Sequence, residues 1–191
     1  MSKSSAPLAL FLDRIESPIG TILVVHDTAE CMRALDFHDY ESRLRRLLKL
    51  HYGEQGRDHV LNQARAPLAT QRALERYFSG DHAAIDNICV ATAGTEFQCE
   101  VWAALRTIRP GTTLSYGALA QRLGRPRAVR AVGLANGANP IGIVVPCHRV
   151  IGADSSLTGY GGGLSRKRWL LEHEGSAFKI SQGRSRAVGI R

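Results

Sequence analysis

The chain has no apolar stretch approaching the roughly 20 residues that a membrane-spanning helix requires. It also has no recognisable secretory leader, since "MSKSSAPLALFLDRIES" offers one short apolar run and then charges. The expectation is a soluble, cytoplasmic protein with no membrane association. Cysteine is sparse: Cys31, Cys89, Cys99 and Cys147 are irregularly spaced, with no CxxC pair. That spacing argues against a structural zinc site or a disulfide framework, and three of the four read as small core residues. Acidic residues are scarce in the second half. Residues 96–191 carry 14 Lys/Arg against 5 Asp/Glu, whereas residues 1–95 carry 11 against 12. All the excess of the net +8 charge therefore lies in the second half, which suits a polyanionic partner or a basic solvated face.

What is present is globular: 191 residues, 44% apolar and 22% charged, enough for one large domain or two small ones. "LALFLDRI" (8–15), "TILVVH" (21–26) and "MRALDF" (32–37) read as short strands of an antiparallel meander, with a turn at "SPIG". "ESRLRRLLKLHYG" carries Leu44, Leu47 and Leu48 at helical spacing, and "TQRALERYFSG" (70–80) reads as a second helix stopped by Gly80. "IDNICVATAG" (85–94) reads as one more strand before a joint near Ala91–Thr95. This half shows no catalytic cluster, and its five histidines are scattered.

The second half opens with a capping box, Thr95 with Gln98, and then Phe97, Val101, Trp102, Leu105 and Ile108 on one helical face. Ser115 is placed to cap a short helix with Leu119, Ala120 and Leu123 inward, which Gly124 and Pro126 break. A second helix is expected from about Pro126 to Ala135, with Arg127 and Arg130 on one face. Two short helices around a glycine turn outline a helix-turn-helix. "GIVV" (142–145) reads as a buried strand, "TGYGGG" (158–163) as a loop and "LSRKRWLLEHEG" (164–175) as a closing helix. The basic residues beyond Gly175 read as a flexible tail.

The buried strand delivers Pro146-Cys147-His148-Arg149-Val150, where a thiol neighbours an imidazole. A metal site, a nucleophile with its base, and a packed core pair all compete. Neighbours in extended chain face opposite ways, and no second Cys/His group lies nearby, which counts against metal. A nucleophilic thiol, with its pKa of about 8.5, needs a base, and the base an orienting acid. His148 and Glu174 are the candidates.

"NPIGIVVPCHRVIG", with "RAVGLANGANP" upstream and "TGYGGGLSRKRWLLEHEG" downstream, closely resembles the O6-alkylguanine-DNA alkyltransferases, most strongly from Thr95 to Gly175. "SPIG", the Tyr77-Phe78 pair before Gly80, and "ATAGTEFQ" resemble the free-standing bacterial members. The resemblance implies an α/β N-terminal RNase H-like domain (1–91), a C-terminal winged helix-turn-helix domain (92–176) and a basic tail (177–191). It implies a monomer with no cofactor, no metal and no obligatory protein partner. The implied partner is double-stranded DNA containing O6-alkylguanine, bound by its minor groove. The base is flipped out and its alkyl group passes irreversibly to Cys147, once per molecule, with O4-methylthymine as a further substrate.

The implied roles follow residue by residue. Cys147 is the acceptor, His148 the base through a water, and Glu174 its orienting carboxylate. Tyr116 donates a proton or hydrogen bond to the leaving base and presses on the DNA backbone. Arg130 fills the emptied stack, and Arg127, Ala128 and Gly133 accompany it at the DNA. Asn139 is a hinge, Lys167 supplies local charge, and Val150, Tyr160, Gly161 and Gly162 line the pocket. Three positions depart from the family pattern: Arg109 before Pro110, Arg127 and Val129 in place of smaller residues, and Ser155 in place of a glycine. A lesion-binding protein without the acceptor is disfavoured by the presence of Cys147. A plain helix-turn-helix regulator would survive Cys147→Ala, and a thiol hydrolase would turn over without DNA.

Overall fold

A computed structural model describes residues 8–53 and 59–179. β1 (Leu8–Ile15), β2 (Ile22–Asp27) and β3 (Met32–Phe37) form the expected antiparallel meander. A 3₁₀ turn leads into α1 (Glu41–Tyr52), which crosses to β4 (His59–Gln63), parallel to β1. The sheet order is β3-β2-β1-β4. Sequence reading missed β4, because its five residues "HVLNQ" lack the apolar alternation that marks the other three strands. α2 (Leu68–Phe78) follows, and Gly80 beyond it takes φ +102°, the left-handed conformation that closes a helix end.

Strand alternation divides the core in two. Leu10, Leu12, Leu23 and Val25 face Leu44, Leu48 and Tyr52 of α1. Ile22, Val24, Leu35 and Phe37 face the opposite way, into a cluster shared with α2 and with the second half of the chain, including Trp102, Val132, Cys147 and Leu170. β2 is buried along its whole length because both faces of the sheet are covered.

The second half is mostly helical: α3 (Glu96–Arg106), α4 (Tyr116–Arg122), α5 (Val129–Gly137) and α6 (Leu164–His173). β5 (Leu114–Ser115) and β6 (Val150–Ile151) pair in parallel. The Thr95–Gln98 capping box is formed in both directions, and Ser115 accepts the Ala118 N–H at 3.1 Å. Trp102 donates from Nε1 to the Ala135 carbonyl at 2.8 Å, pinning α3 to α5.

Four expectations need correction. First, residues 85–94 form turns and a single bridge, Met32↔Val90, rather than a strand. Second, that parallel bridge sets the preceding residues side by side, so Cys31 and Cys89 are joined as a disulfide with Cα atoms 4.7 Å apart. They are not independent core residues, and a separation of 58 residues gave no local sign of it. Third, α5 begins at Val129, not Pro126. Proline keeps Arg125 out of the helical region, and the Ala128 N–H closes a turn onto the Arg125 carbonyl at 2.8 Å. Arg127 therefore sits in the turn. Fourth, residues 142–145 make successive tight turns instead of a strand, with Ile143 at φ +65°.

That turn run hangs on the first half. β3 offers an open edge, and Leu35 donates to the Pro140 carbonyl (2.9 Å) while its own carbonyl accepts from Gly142 (2.8 Å). Met32 pairs in the same way with Cys89 and Ala91. The exposed edge of the sheet is thereby covered and the segment before Cys147 is held in place. Of the expected tail, residues 177–179 are described, and Lys179 donates to the Ser155 carbonyl at 2.8 Å; residues 180–191 lie outside the described residues. Among the described residues no helix is long and apolar enough to cross a membrane.

Candidate active site

Asn139 fixes the loop that presents the thiol. Its Nδ2 donates to the carbonyl of Val145 (2.8 Å), and its Oδ1 accepts the Ile141 N–H (3.0 Å). These bonds close the turns of Ile141–Val145 and hold Ile143 in a backbone region that β-branched residues rarely enter. Pro146 then sits at φ −81° ahead of a 3₁₀ turn formed by Cys147, His148 and Arg149. The proline thus aims Cys147 from the start of a turn rather than from a strand end. Both side chains are buried in this turn: Cys147 has 5% of its surface exposed, and His148 has 0%.

His148 Nε2 lies 3.0 Å from Oε1 of Glu174, which follows the last residue of α6. Arg149 grips the same carboxylate with two hydrogen bonds, Nε to Oε2 and Nη2 to Oε1, both 2.8 Å, and its Nη1 donates to the Ile108 carbonyl. Tyr77 of α2 donates its hydroxyl to Oε1 at 2.8 Å. Burial alone would raise the Glu174 pKa, but His148 and then Arg149 hold it well below the usual carboxylate range. His148 Nδ1 is buried with no protein partner among the described residues.

Burial pushes the Cys147 thiol up, opposed by an Asn139 hydrogen bond and the positive charges of Arg43 and Lys167. Burial also pushes His148 down, against the pull of Glu174. The resting pair is therefore a neutral thiol beside a neutral imidazole, with the negative charge on Glu174. Burial lowers Lys167 to about 8, while its Nζ donates to the carbonyls of Val150 (2.6 Å) and Thr158 (2.8 Å). It thereby ties β6 to the glycine-rich loop.

The other predicted residues are placed as follows. Tyr160 packs edge-on to His148 with ring centroids 6.4 Å apart, and burial raises its hydroxyl pKa well above the usual value. A Cβ on Gly161 would collide with the Arg43 guanidinium, and one on Gly162 with the Phe37 ring, so both glycines permit the loop to press against the first half. Val150 is fully buried in β6. Tyr116 opens α4, with its hydroxyl accepting from Thr158 Oγ1 at 3.3 Å and its ring facing Gly133. Arg130 and Arg127 are exposed and Ala128 is half-buried at the start of α5. Ser155 holds φ +67°, which accounts for a glycine suiting that position.

Three residues escaped sequence reading. Arg149 lies within the signature itself, and a guanidinium amid apolar neighbours was a usable sign. Tyr77 and Arg43 come from the first half, and nothing local announces them. Arg43 pairs with Asp36 at 2.6 Å and donates to the Asn139 carbonyl at 3.2 Å.

Comparisons with known proteins point to one family. Residues 96–176 match the family 6-O-methylguanine DNA methyltransferase, DNA binding domain. The methylated-DNA–protein-cysteine methyltransferase of Salmonella typhimurium is 51% identical over 168 residues, spanning 88% of this chain and 97% of that protein. Its namesake in Haemophilus influenzae is 40% identical over 166 residues, 87% of each chain. Among solved structures, the Mycobacterium tuberculosis O6-methylguanine methyltransferase superposes with a TM-score of 0.70 at 38% identity, covering 87% of this chain and 93% of that one. The M. tuberculosis OGT in complex with DNA gives the same TM-score, 0.70. With this likeness running along nearly its whole length, and with a buried free Cys147 next in sequence to a His148 that is hydrogen-bonded to Glu174, the chain belongs to the methylated-DNA–protein-cysteine methyltransferases.

Proposed function

We propose that the protein repairs O6-alkylguanine in double-stranded DNA by transferring the alkyl group to Cys147, once per molecule, with O4-methylthymine as a second substrate. The observation that carries this reading is the buried free thiol of Cys147 next in sequence to His148, whose Nε2 is committed to Glu174. That commitment leaves the lone pair of Nδ1 free to take the thiol proton through one water. In the transfer, sulfur attacks the alkyl carbon in line with the C–O6 bond, an S–C bond forms, and the electron pair of the breaking bond goes to the guanine. His148 becomes an imidazolium stabilised by Glu174, and Tyr116 supplies a proton or hydrogen bond to the departing base. General-base assistance of this kind contributes roughly 10²–10⁴-fold. The thioether has no route back to thiol, so the protein is consumed.

Delivery of the base falls to α4 and α5. Arg130 is exposed on α5 beside Val129 and Leu134, a mixed charged and apolar surface that suits a minor groove and an emptied stack. Arg127 and Ala128 extend that surface, Gly133 lets α5 pack beside Tyr116, Asn139 links α5 to the thiol, and Lys167 adds positive charge near the sulfur. Val150, Tyr160, Gly161 and Gly162 form the pocket wall.

The mixed sheet with parallel β4 supports an RNase H-like domain over 1–91, and α4, α5 and the β5–β6 pair support a winged helix-turn-helix over 92–176. We read the protein as a cytoplasmic monomer that uses no cofactor or metal. In a reducing compartment Cys31 and Cys89 would stand as paired thiols. Titrating the protein with excess O6-methylguanine duplex tests the reading: repair plateaus at one lesion per molecule. Repair that continues beyond that ratio would replace it with a turnover mechanism.

A further inference from the structure

Glu174 has a partner that the second half of the chain does not supply. Tyr77 is fully buried at the end of α2, and its hydroxyl donates to Oε1 of Glu174 at 2.8 Å. The same oxygen receives His148 Nε2 (3.0 Å) and Arg149 Nη2 (2.8 Å). One residue earlier in the chain, His173 Nε2 lies 2.8 Å from the Tyr77 carbonyl. Tyr77 therefore grips two consecutive residues at the end of α6, one by its backbone and one by its side chain. Its ring is walled edge-on by Phe78 (5.3 Å), His173 (5.4 Å) and His82 (5.9 Å), so the hydroxyl has little freedom to leave.

We propose that Tyr77 is a positioning residue for alkyl transfer, its hydroxyl orienting Glu174 and limiting how strongly that carboxylate draws a proton onto His148. The proposal rests on His148 acting as the base. Three donors on one oxygen disperse its charge, and a carboxylate with dispersed charge stabilises imidazolium less. Nδ1 then stays unprotonated at rest and ready for the thiol proton. Other groups face this network. Arg149 and Lys167 act against imidazolium, Tyr160 stands edge-on to His148, and His82 and His173 lie on the far side of the Tyr77 ring. Only Tyr77 among these joins the first half of the chain to the carboxylate by a hydrogen bond. Burial and the Glu174 charge both hold its hydroxyl protonated far above neutral pH, so it remains a donor across the working range.

Tyr77→Phe removes the donor and keeps the ring, while Phe78→Leu disturbs the same packing and keeps the donor. The measurement is the single-turnover methyl-transfer rate from O6-methylguanine duplex as a function of pH, with the His148 ring titrated by NMR in parallel. For Tyr77→Phe the expected plateau is about tenfold lower, the effect of one hydrogen bond to a charged group. Its acid limb and its His148 titration both move to higher pH. Phe78→Leu lowers the melting temperature and leaves both titrations where the wild type has them. Titrations unmoved in Tyr77→Phe, or moved equally in Phe78→Leu, would overturn the role. A His148 titration that moves while wild-type protein takes no methyl from DNA would leave Tyr77 in place and remove the repair reading instead.

Discussion

Glu174 shows how much one buried charge must satisfy. Its carboxylate serves His148, Arg149 and Tyr77 at once, and it stays ionised in spite of its burial because the Arg149 charge and the hydrogen bonds it receives outweigh the cost of desolvation. A carboxylate whose folded pKa lies below its unfolded value, about 4.3 for glutamate, adds stability above that value and loses it as pH falls further. Stability of the wild type should therefore decline as pH drops below about 4.3. Glu174→Gln should lose this contribution, and at pH 7 it also strands the Arg149 guanidinium, a loss on the order of 3–5 kcal/mol. Urea unfolding of both proteins at pH 7 and pH 4 measures this. The variant should be less stable at pH 7 by that amount, and a gap below about 1 kcal/mol at pH 7 contradicts the ionised, paired state. Cys147 and His148 were legible as residues from their neighbours in sequence. Their neutral resting state was not, since it depends on burial by parts of the chain far away.

At the scale of elements, periodicity served well where one face is buried and failed where backbone turns decide. β1, β3, α1 and the capped start of α3 lie where alternation, helical spacing and the Thr95–Gln98 pair put them. The four apolar residues 142–145 look like a strand, yet Asn139 spends its side chain closing turns there. Side-chain-to-backbone bonds of this kind compete with regular structure and leave no periodic trace. The late start of α5 has the same character, because Pro126 and Gly124 settle it locally. One consequence concerns the exposed face of α5. If Arg130 fills the stack, Arg130→Ala should slow repair of a duplex by at least tenfold while reaction with free O6-benzylguanine stays within about twofold, since the free base needs no flipping. Equal losses on both substrates would place Arg130 in the chemistry or in the fold instead.

For the molecule as a whole, the second half holds the signature and the first half holds it steady. β3 carries the Pro140–Gly142 segment on its edge, Arg43 reaches the Asn139 carbonyl, and Tyr77 reaches Glu174. None of these links has a local sequence sign, which is why the first half read as lacking any part in the site. The Cys31–Cys89 disulfide closes a long loop between β3 and the joint into α3. Disulfides typically contribute roughly 2–4 kcal/mol, and the chain-entropy account puts a loop of this length near the upper end. Reduction should then lower the melting temperature by about 4–16 °C, given about 2–4 °C per kcal/mol for a chain of this size. The Cys31→Ser/Cys89→Ser protein should melt at one temperature with or without reductant. An unshifted melting point on reducing the wild type would show the pair adds no constraint.

The central claim is that Cys147 receives the alkyl group from DNA. Intact-mass measurement followed by peptide mapping, after incubation with an O6-methylguanine duplex, tests it most directly. The account predicts one added methyl group, located on the peptide containing Cys147, with Cys99 unmodified. Folded protein of unchanged mass, or a methyl group on any other residue, would contradict it.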